Sequence, residues 1–169
     1  MSTTPSSTLA PIALQPGEGE SYWFFGQLVT IKAAADTTVG RVGVTDCLGP
    51  RGTGSPLHVH HNEDEWFFVI DGELTIWIGG ETVVLPAGSF AYGPRDIPHT
   101  FSVTSDTAHF LLVVNPGGFE SFVRTVGEPA TSLTIPTDTP EPGPEQMAAL
   151  VALAAEYGIE ILGPLGIPA

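Results

Sequence analysis

Apolar and polar positions alternate in short bursts through the middle of the chain, and each burst ends at glycine, proline or aspartate. From Tyr22 the run YWFFGQLVTIKA is β-rich, TVGRVGVTDCL follows after the link AADT, and GPRGTGSP then breaks the pattern. The same texture predicts further strands at 57–61, 65–70, 73–78, 81–85, 89–93, 98–103 and 107–114. Asp71-Gly72 and Gly79-Gly80 fall between runs, where hairpin turns need positive φ. About seven to nine short strands, with turns roughly every 6 to 12 residues, predict an all-β sandwich or barrel.

After Asn115 the period changes to that of a helix. In PGGFESFVRTVGEP, Phe119, Phe122, Val123 and Val126 fall at i, i+3, i+4 and i+7, and Gly127 is a natural stop. A Pro-rich connector, TSLTIPTDTPEPG, leads to PEQMAALVALAAEYG, with Pro144 suited to a first helical turn and Gly158 just past the end. That second helix is apolar nearly all round, which predicts burial against the barrel or another subunit. The expected organisation is a flexible arm at 1–21, a β-barrel at 22–115, and a helical extension with the connector at 116–169.

Composition sharpens this picture. A length of 169 residues suits one domain with an enclosed core. Nineteen acidic against five basic residues give a net charge of −14, a surface that repels phosphate backbones and anionic headgroups. Nucleic-acid and membrane-surface partners are therefore not expected. Cys47 is the only cysteine, so no internal disulfide forms, and it reads as a small strand residue. The first twenty residues lack a basic segment followed by an apolar core, and no apolar run approaches the roughly 18 residues of a membrane span. A soluble cytoplasmic protein is the expectation.

Candidate chemistry concentrates between Gly52 and Gly72. His58, His60, His61 and Glu65 lie within eight residues of a chain that has five histidines. On a strand, residues i and i+2 share a face, so His58 and His60 present two imidazoles about 7 Å apart at the backbone. Glu65 can reach the same point if the chain turns back through HNED, and His99 starts a strand just after the PRDIP turn. Three imidazoles and a carboxylate suit Ni, Co, Mn, Fe, Cu or Zn better than Ca or Mg. On an octahedral ion four such ligands leave two positions open to substrate, water or dioxygen. His61 has the opposite parity to His60 and points away, while His109 reads as a satisfied strand histidine. Glu63 and Asp64 read as turn charges carried into water. Phe67 and Val69 share parity with Glu65, and Phe101 and Val103 with His99, so these four are expected inside the barrel beside the metal. Trp66, Phe68 and Ile70 face the other way, between sheets or at a dimer contact.

The spacing resembles the cupin superfamily. Gly52, His58, His60, Glu65 and Gly72 fit its first motif, and Gly88, Pro94 and His99 its second. Asp96 stands where glycine is usual, which its tolerance of the left-handed region permits, and Val103 replaces an asparagine. A narrower likeness, from about Tyr22 to Ala130, is to single-domain bacterial quercetinases, carried by FGQLVTI, GPRG and NPGGFESFVRTVGEPA. The resemblance implies a double-stranded β-helix, or jelly-roll barrel, that works as a homodimer. It further implies one divalent metal on His58, His60, Glu65 and His99, with Glu65 as base toward a flavonol hydroxyl. The implied activity is oxidation of an aromatic small molecule by dioxygen. A Lewis-acid isomerase or cyclase, or a binding module without turnover, would use the same residues.

Overall fold

The alternating runs become strands close to their expected limits in the computed structural model, which describes residues 9–139 and 142–168. Most of the arm's first half and two residues of the connector thus lie outside the described residues. Residues 9–19 carry neither helix nor strand. In chain order the elements are β1 (Glu20–Phe24), β2 (Gln27–Ala33), a short α1 (Ala35–Thr38), β3 (Gly43–Pro50), β4 (Pro56–His60) and β5 (Asp64–Asp71). Then come β6 (Glu73–Ile78), β7 (Glu81–Pro86), β8 (Phe90–Gly93), β9 (His99–Val103) and β10 (Thr107–Asn115). The C-terminal part holds α2 (Phe119–Val126), β11 (Glu128–Pro129), α3 (Pro144–Glu156) and β12 (Ile159–Leu165).

The strands form two antiparallel sheets, ordered β11-β1-β2-β3-β10-β5-β8 and β12-β4-β9-β6-β7, the jelly roll that the motifs imply. Their facing sides meet in one core. Phe67 and Val69 on β5, Leu74 and Ile76 on β6, and Phe101 and Val103 on β9 are all buried. Phe101 packs between Phe67 and Phe110, with ring centroids 5.6 and 5.3 Å away. Trp66, Phe68 and Ile70 take the outward side of β5, where Phe68 and Ile70 are exposed.

Three local features differ from the sequence-based expectation. The run Tyr22 to Ala33 is two strands, because Phe25 and Gly26 turn the chain with φ of 48° and 78°. Gly79-Gly80 closes the β6–β7 hairpin as expected, but Asp71-Gly72 does not close a hairpin. β5 pairs with β10 and β8, whereas β6 pairs with β7 and β9, so Gly72 carries the chain from one sheet to the other. Its φ is 78°, and a Cβ there would sit 2.2 Å from the Thr107 carbonyl oxygen, so only glycine fits the crossing. Finally, the C-terminal extension is not wholly helical: β12 adds an edge strand beside β4.

α2 is locked down by two charged residues on opposite sides. Glu120 is fully buried and accepts the backbone N–H of Ala35 at 2.5 Å and that of Gly118 at 3.0 Å. Replacing it by alanine strands both donors, so Glu120→Ala should cost about 2–4 kcal/mol, read from chemical denaturation. On the solvent side, Arg124 grips both oxygens of Glu20 at 2.9 and 2.7 Å and reaches Asp36. The hydrogen bonds from Arg124 hold the Glu20 carboxyl below its ordinary value of 4.5. Such a depressed carboxylate stabilises the fold above pH 4.5 and loses that contribution as pH falls through its folded value. The pair is partly exposed, so Arg124→Met should remove less than about 1 kcal/mol at neutral pH and nothing in strong acid.

Candidate metal centre

β4 lies between β12 and β9, and His58 is the direct cross-strand partner of His99. The two rings therefore meet with centroids 4.4 Å apart. His60 follows on the same face of β4, its ring 4.8 Å from that of His58. Glu65 comes from β5 in the opposite sheet, so the cluster bridges the barrel interior. One ligand atom from each of His58, His60, Glu65 and His99 lies within 4.8 Å of all the others, and all four residues are buried.

Hydrogen bonds aim the rings. Nδ1–H of His58 donates to the Pro56 carbonyl at 2.8 Å, and Nδ1–H of His99 donates to that of Ile97 at 2.9 Å. Each therefore turns Nε2 inward. Burial drives the His58 pKa down to about 3, helped by the neighbouring imidazoles, so this ring is a neutral lone-pair donor. Burial also depresses His99, but its 2.7 Å bond to Glu65 Oε2 outweighs this and raises its pKa overall. Burial likewise pushes Glu65 up, yet the three surrounding imidazoles hold it at about 2. His60 makes no hydrogen bond through either ring nitrogen although it is only 1% exposed. A buried imidazole without a partner is costly, and a cation among these nitrogens would satisfy it. The nitrogen-rich donor set fits a divalent transition ion.

The neighbouring residues fall into place around this. His61 points outward, its Nδ1 2.7 Å from Asp96 and its Nε2 3.0 Å from Glu160 of β12. Asp96 adopts φ of 64°, as the glycine usual there would, and its N–H donates to the His60 carbonyl. His109 is bonded to Asp46 at 2.6 Å. Asp64 pairs with Arg95 at the surface. Glu63, by contrast, is not a solvated turn charge: it is 3% exposed and lies 3.4 Å from His60 Nδ1. It falls between β4 and β5, where strand parity no longer applies, and folds back under the start of α2.

A cavity of about 680 Å³, its open mouth included, reaches from the cluster to the surface. Its walls are mostly apolar, with Phe24, Phe101, Phe119 and Phe122 among them. Phe101 is thus on the cavity, while Phe67, Val69 and Val103 lie in the core behind it. Sequence reasoning missed two contributions. Gln27 from β2 lines the cavity with a buried Oε1 that has no hydrogen-bond partner. Ala154, Ile159 and Ile161 of the C-terminal segment form another part of the wall. Cys47 also reaches it, but burial pushes its thiol up to about 12, so it stays protonated and inert.

Comparison with known proteins places this arrangement. Residues 45–115 match the family described as Cupin domain. Quercetin 2,3-dioxygenase of Bacillus subtilis is 34% identical over 119 residues, covering 70% of this chain and 35% of that protein. Quercetin 2,3-dioxygenase of Aspergillus japonicus is 33% identical over 82 residues, covering 46% of this chain and 23% of that protein. The chain thus spans about a third or less of these curated relatives' length. Among solved structures, an RmlC-like cupin from Shewanella frigidimarina superposes with a TM-score of 0.57 at 17% identity, over 65% of this chain and 94% of that one. KdgF from Halomonas sp. superposes with a TM-score of 0.56 at 16% identity, over 63% and 94%. These two likenesses concern the fold alone. The matched barrel makes this chain a member of the cupin family, similar in sequence to quercetin 2,3-dioxygenases.

Proposed function

We propose that the chain is a metal-dependent dioxygenase of quercetinase type, acting on a flavonol or a similar aromatic hydroxyl compound with dioxygen as co-substrate. The observation that carries this reading is a buried cluster of three histidines and a carboxylate at the end of an apolar, aromatic-walled cavity. An apolar, aromatic lining with a few polar groups converging at one end is the character of a small-molecule site. Sequence likeness to two quercetin 2,3-dioxygenases supports the reaction class.

His58, His60, Glu65 and His99 would hold one divalent transition ion, drawn from Ni, Co, Mn, Fe, Cu and Zn. When bound, the ion supplies Lewis acidity toward a substrate oxygen. Glu65 accepts the substrate's hydroxyl proton, being a carboxylate that lines the cavity. Phe101, Phe119 and Phe122 offer ring faces and edges to an aromatic substrate and keep water out. Phe67, Val69 and Val103 support that wall from the core. Gln27 receives a substrate hydroxyl through its unpaired Oε1, fixing which end of the molecule enters first. Gln27→Leu should therefore raise KM about tenfold, the worth of one hydrogen bond, with metal content unchanged.

The direct test is oxygen consumption with a flavonol in protein reloaded with Ni, Co, Mn or Fe after chelation. Ion-dependent uptake of dioxygen is the expected result. Turnover under strict anaerobiosis would replace this reading with a Lewis-acid isomerase or cyclase, and stoichiometric binding without product would replace it with a binding module. Light scattering on the same sample checks the homodimer that forms part of the proposal.

A further inference from the structure

The three imidazoles of the cluster are not held alike. His58 and His99 each anchor Nδ1 on the backbone carbonyl two residues earlier. His60 has no such carbonyl. Its Nδ1 instead faces Glu63 Oε2 at 3.4 Å, and neither atom has a hydrogen-bond partner elsewhere or a formed bond to the other. Both side chains are almost wholly buried, 1% and 4% exposed.

Burying a carboxylate against an imidazole, away from water, is unfavourable unless something gains from it. No arginine or lysine is paired with Glu63 among the described residues; its Oε1 lies close against Gly118, just before α2, where an added Cβ would sit 2.6 Å away. The far side of the His60 ring explains the arrangement. Nε2 points into the cluster, 3.9 Å from Glu65 Oε2. A carboxylate that accepts Nδ1–H leaves the Nε2 lone pair free and makes that nitrogen a stronger donor toward a cation. Phe119 packs edge-on against the same ring, with centroids 5.8 Å apart, which limits its swing.

We propose that Glu63 is a positioning residue for the metal centre: it fixes the His60 tautomer and ring orientation and adds its negative charge behind the ligand. This rests on the metal-binding reading of the cluster. Glu63 does the job for His60 that backbone carbonyls do for His58 and His99, with a full charge in place of a dipole.

Glu63→Gln keeps the shape and an acceptor oxygen but removes the charge. Two measurements are made side by side on wild type, Glu63→Gln and His58→Ala: Co2+ affinity by competition with a chromophoric chelator, and melting of the chelated protein. The expected result for Glu63→Gln is a Co2+ affinity lowered about 10- to 100-fold. Its ion-free melting temperature should be equal to or above wild type, because a buried charge has gone. The visible bands of bound Co2+ should also shift. Co2+ affinity within twofold of wild type overturns the proposal, and so does an ion-free melting temperature that falls along with the affinity, which marks a structural role only. Wild type that takes up no Co2+ overturns the metal reading itself, whereas tight binding lost in His58→Ala upholds that reading whatever Glu63→Gln does.

Discussion

Replacing His58 by alanine should weaken divalent-ion binding about 100- to 1,000-fold. Structural four-ligand zinc sites are worth about 10–16 kcal/mol, so one ligand in four carries roughly 3–4 kcal/mol, and each 1.4 kcal/mol is tenfold. His58 is a good choice because it meets His99 directly across the β4–β9 pair and is held neutral by burial. Its removal leaves the strand pairing intact while deleting one inward nitrogen. Elemental analysis after chelation and reloading is the measurement, and unchanged metal content would sink the site assignment. His61→Ala is the control. That ring sits outside, between Asp96 and Glu160, so the variant should reload like wild type. Loss of metal there would mean that the wrong imidazoles had been chosen.

The second large effect concerns the cavity rather than the metal. Ala154 on α3 is fully buried and forms part of the cavity wall. Ala154→Trp pushes an indole into the cavity where the proposed substrate would sit. Flavonol-dependent oxygen uptake should fall at least about 100-fold, a loss of roughly 3 kcal/mol in transition-state binding, with bound metal unchanged. Overpacking costs about 1–3 kcal/mol, which lowers the melting temperature by about 2–12 °C in a chain of this size. Ile161→Trp, on the half-buried part of the same wall, tests the idea with less strain. Normal turnover in both variants, in folded metal-replete protein, would show that the C-terminal segment does not shape the substrate site.

Much of the fold was legible because strands obey a period of two. Parity placed Phe67, Val69, Phe101 and Val103 inside and Phe68 and Ile70 outside, and all six lie so. The cluster His58, His60, Glu65 and His99 was equally legible, since motif spacing and parity pointed to the same four side chains that the two sheets bring together. The rule failed where strands stop. Glu63 sits in the short link between β4 and β5, and a one-dimensional pattern cannot show that the link folds inward. Gly72 was read as a hairpin turn because local sequence does not say which sheet the next strand joins. β12 was missed for another reason: IEILGPL contains glycine and proline and has little strand character of its own. It is a strand because β4 offers it an edge, and an edge position tolerates proline. Gln27 gave no signal at all, as nothing in its neighbours marks a polar side chain turned into a cavity.

The pairing of β12 with β4 also sets an order of events during folding. Glu65 and His99 are 34 residues apart, but His61 and its partner Glu160 are 99 apart. Closing the longer loop costs about 1 kcal/mol more in chain entropy, and contacts so distant in sequence form late. The strand bearing His58 and His60 therefore spends the early stages of folding with one backbone edge open, in a state that can pair with a second chain. A time course of refolding should show sheet formation first and competence to take up metal afterwards.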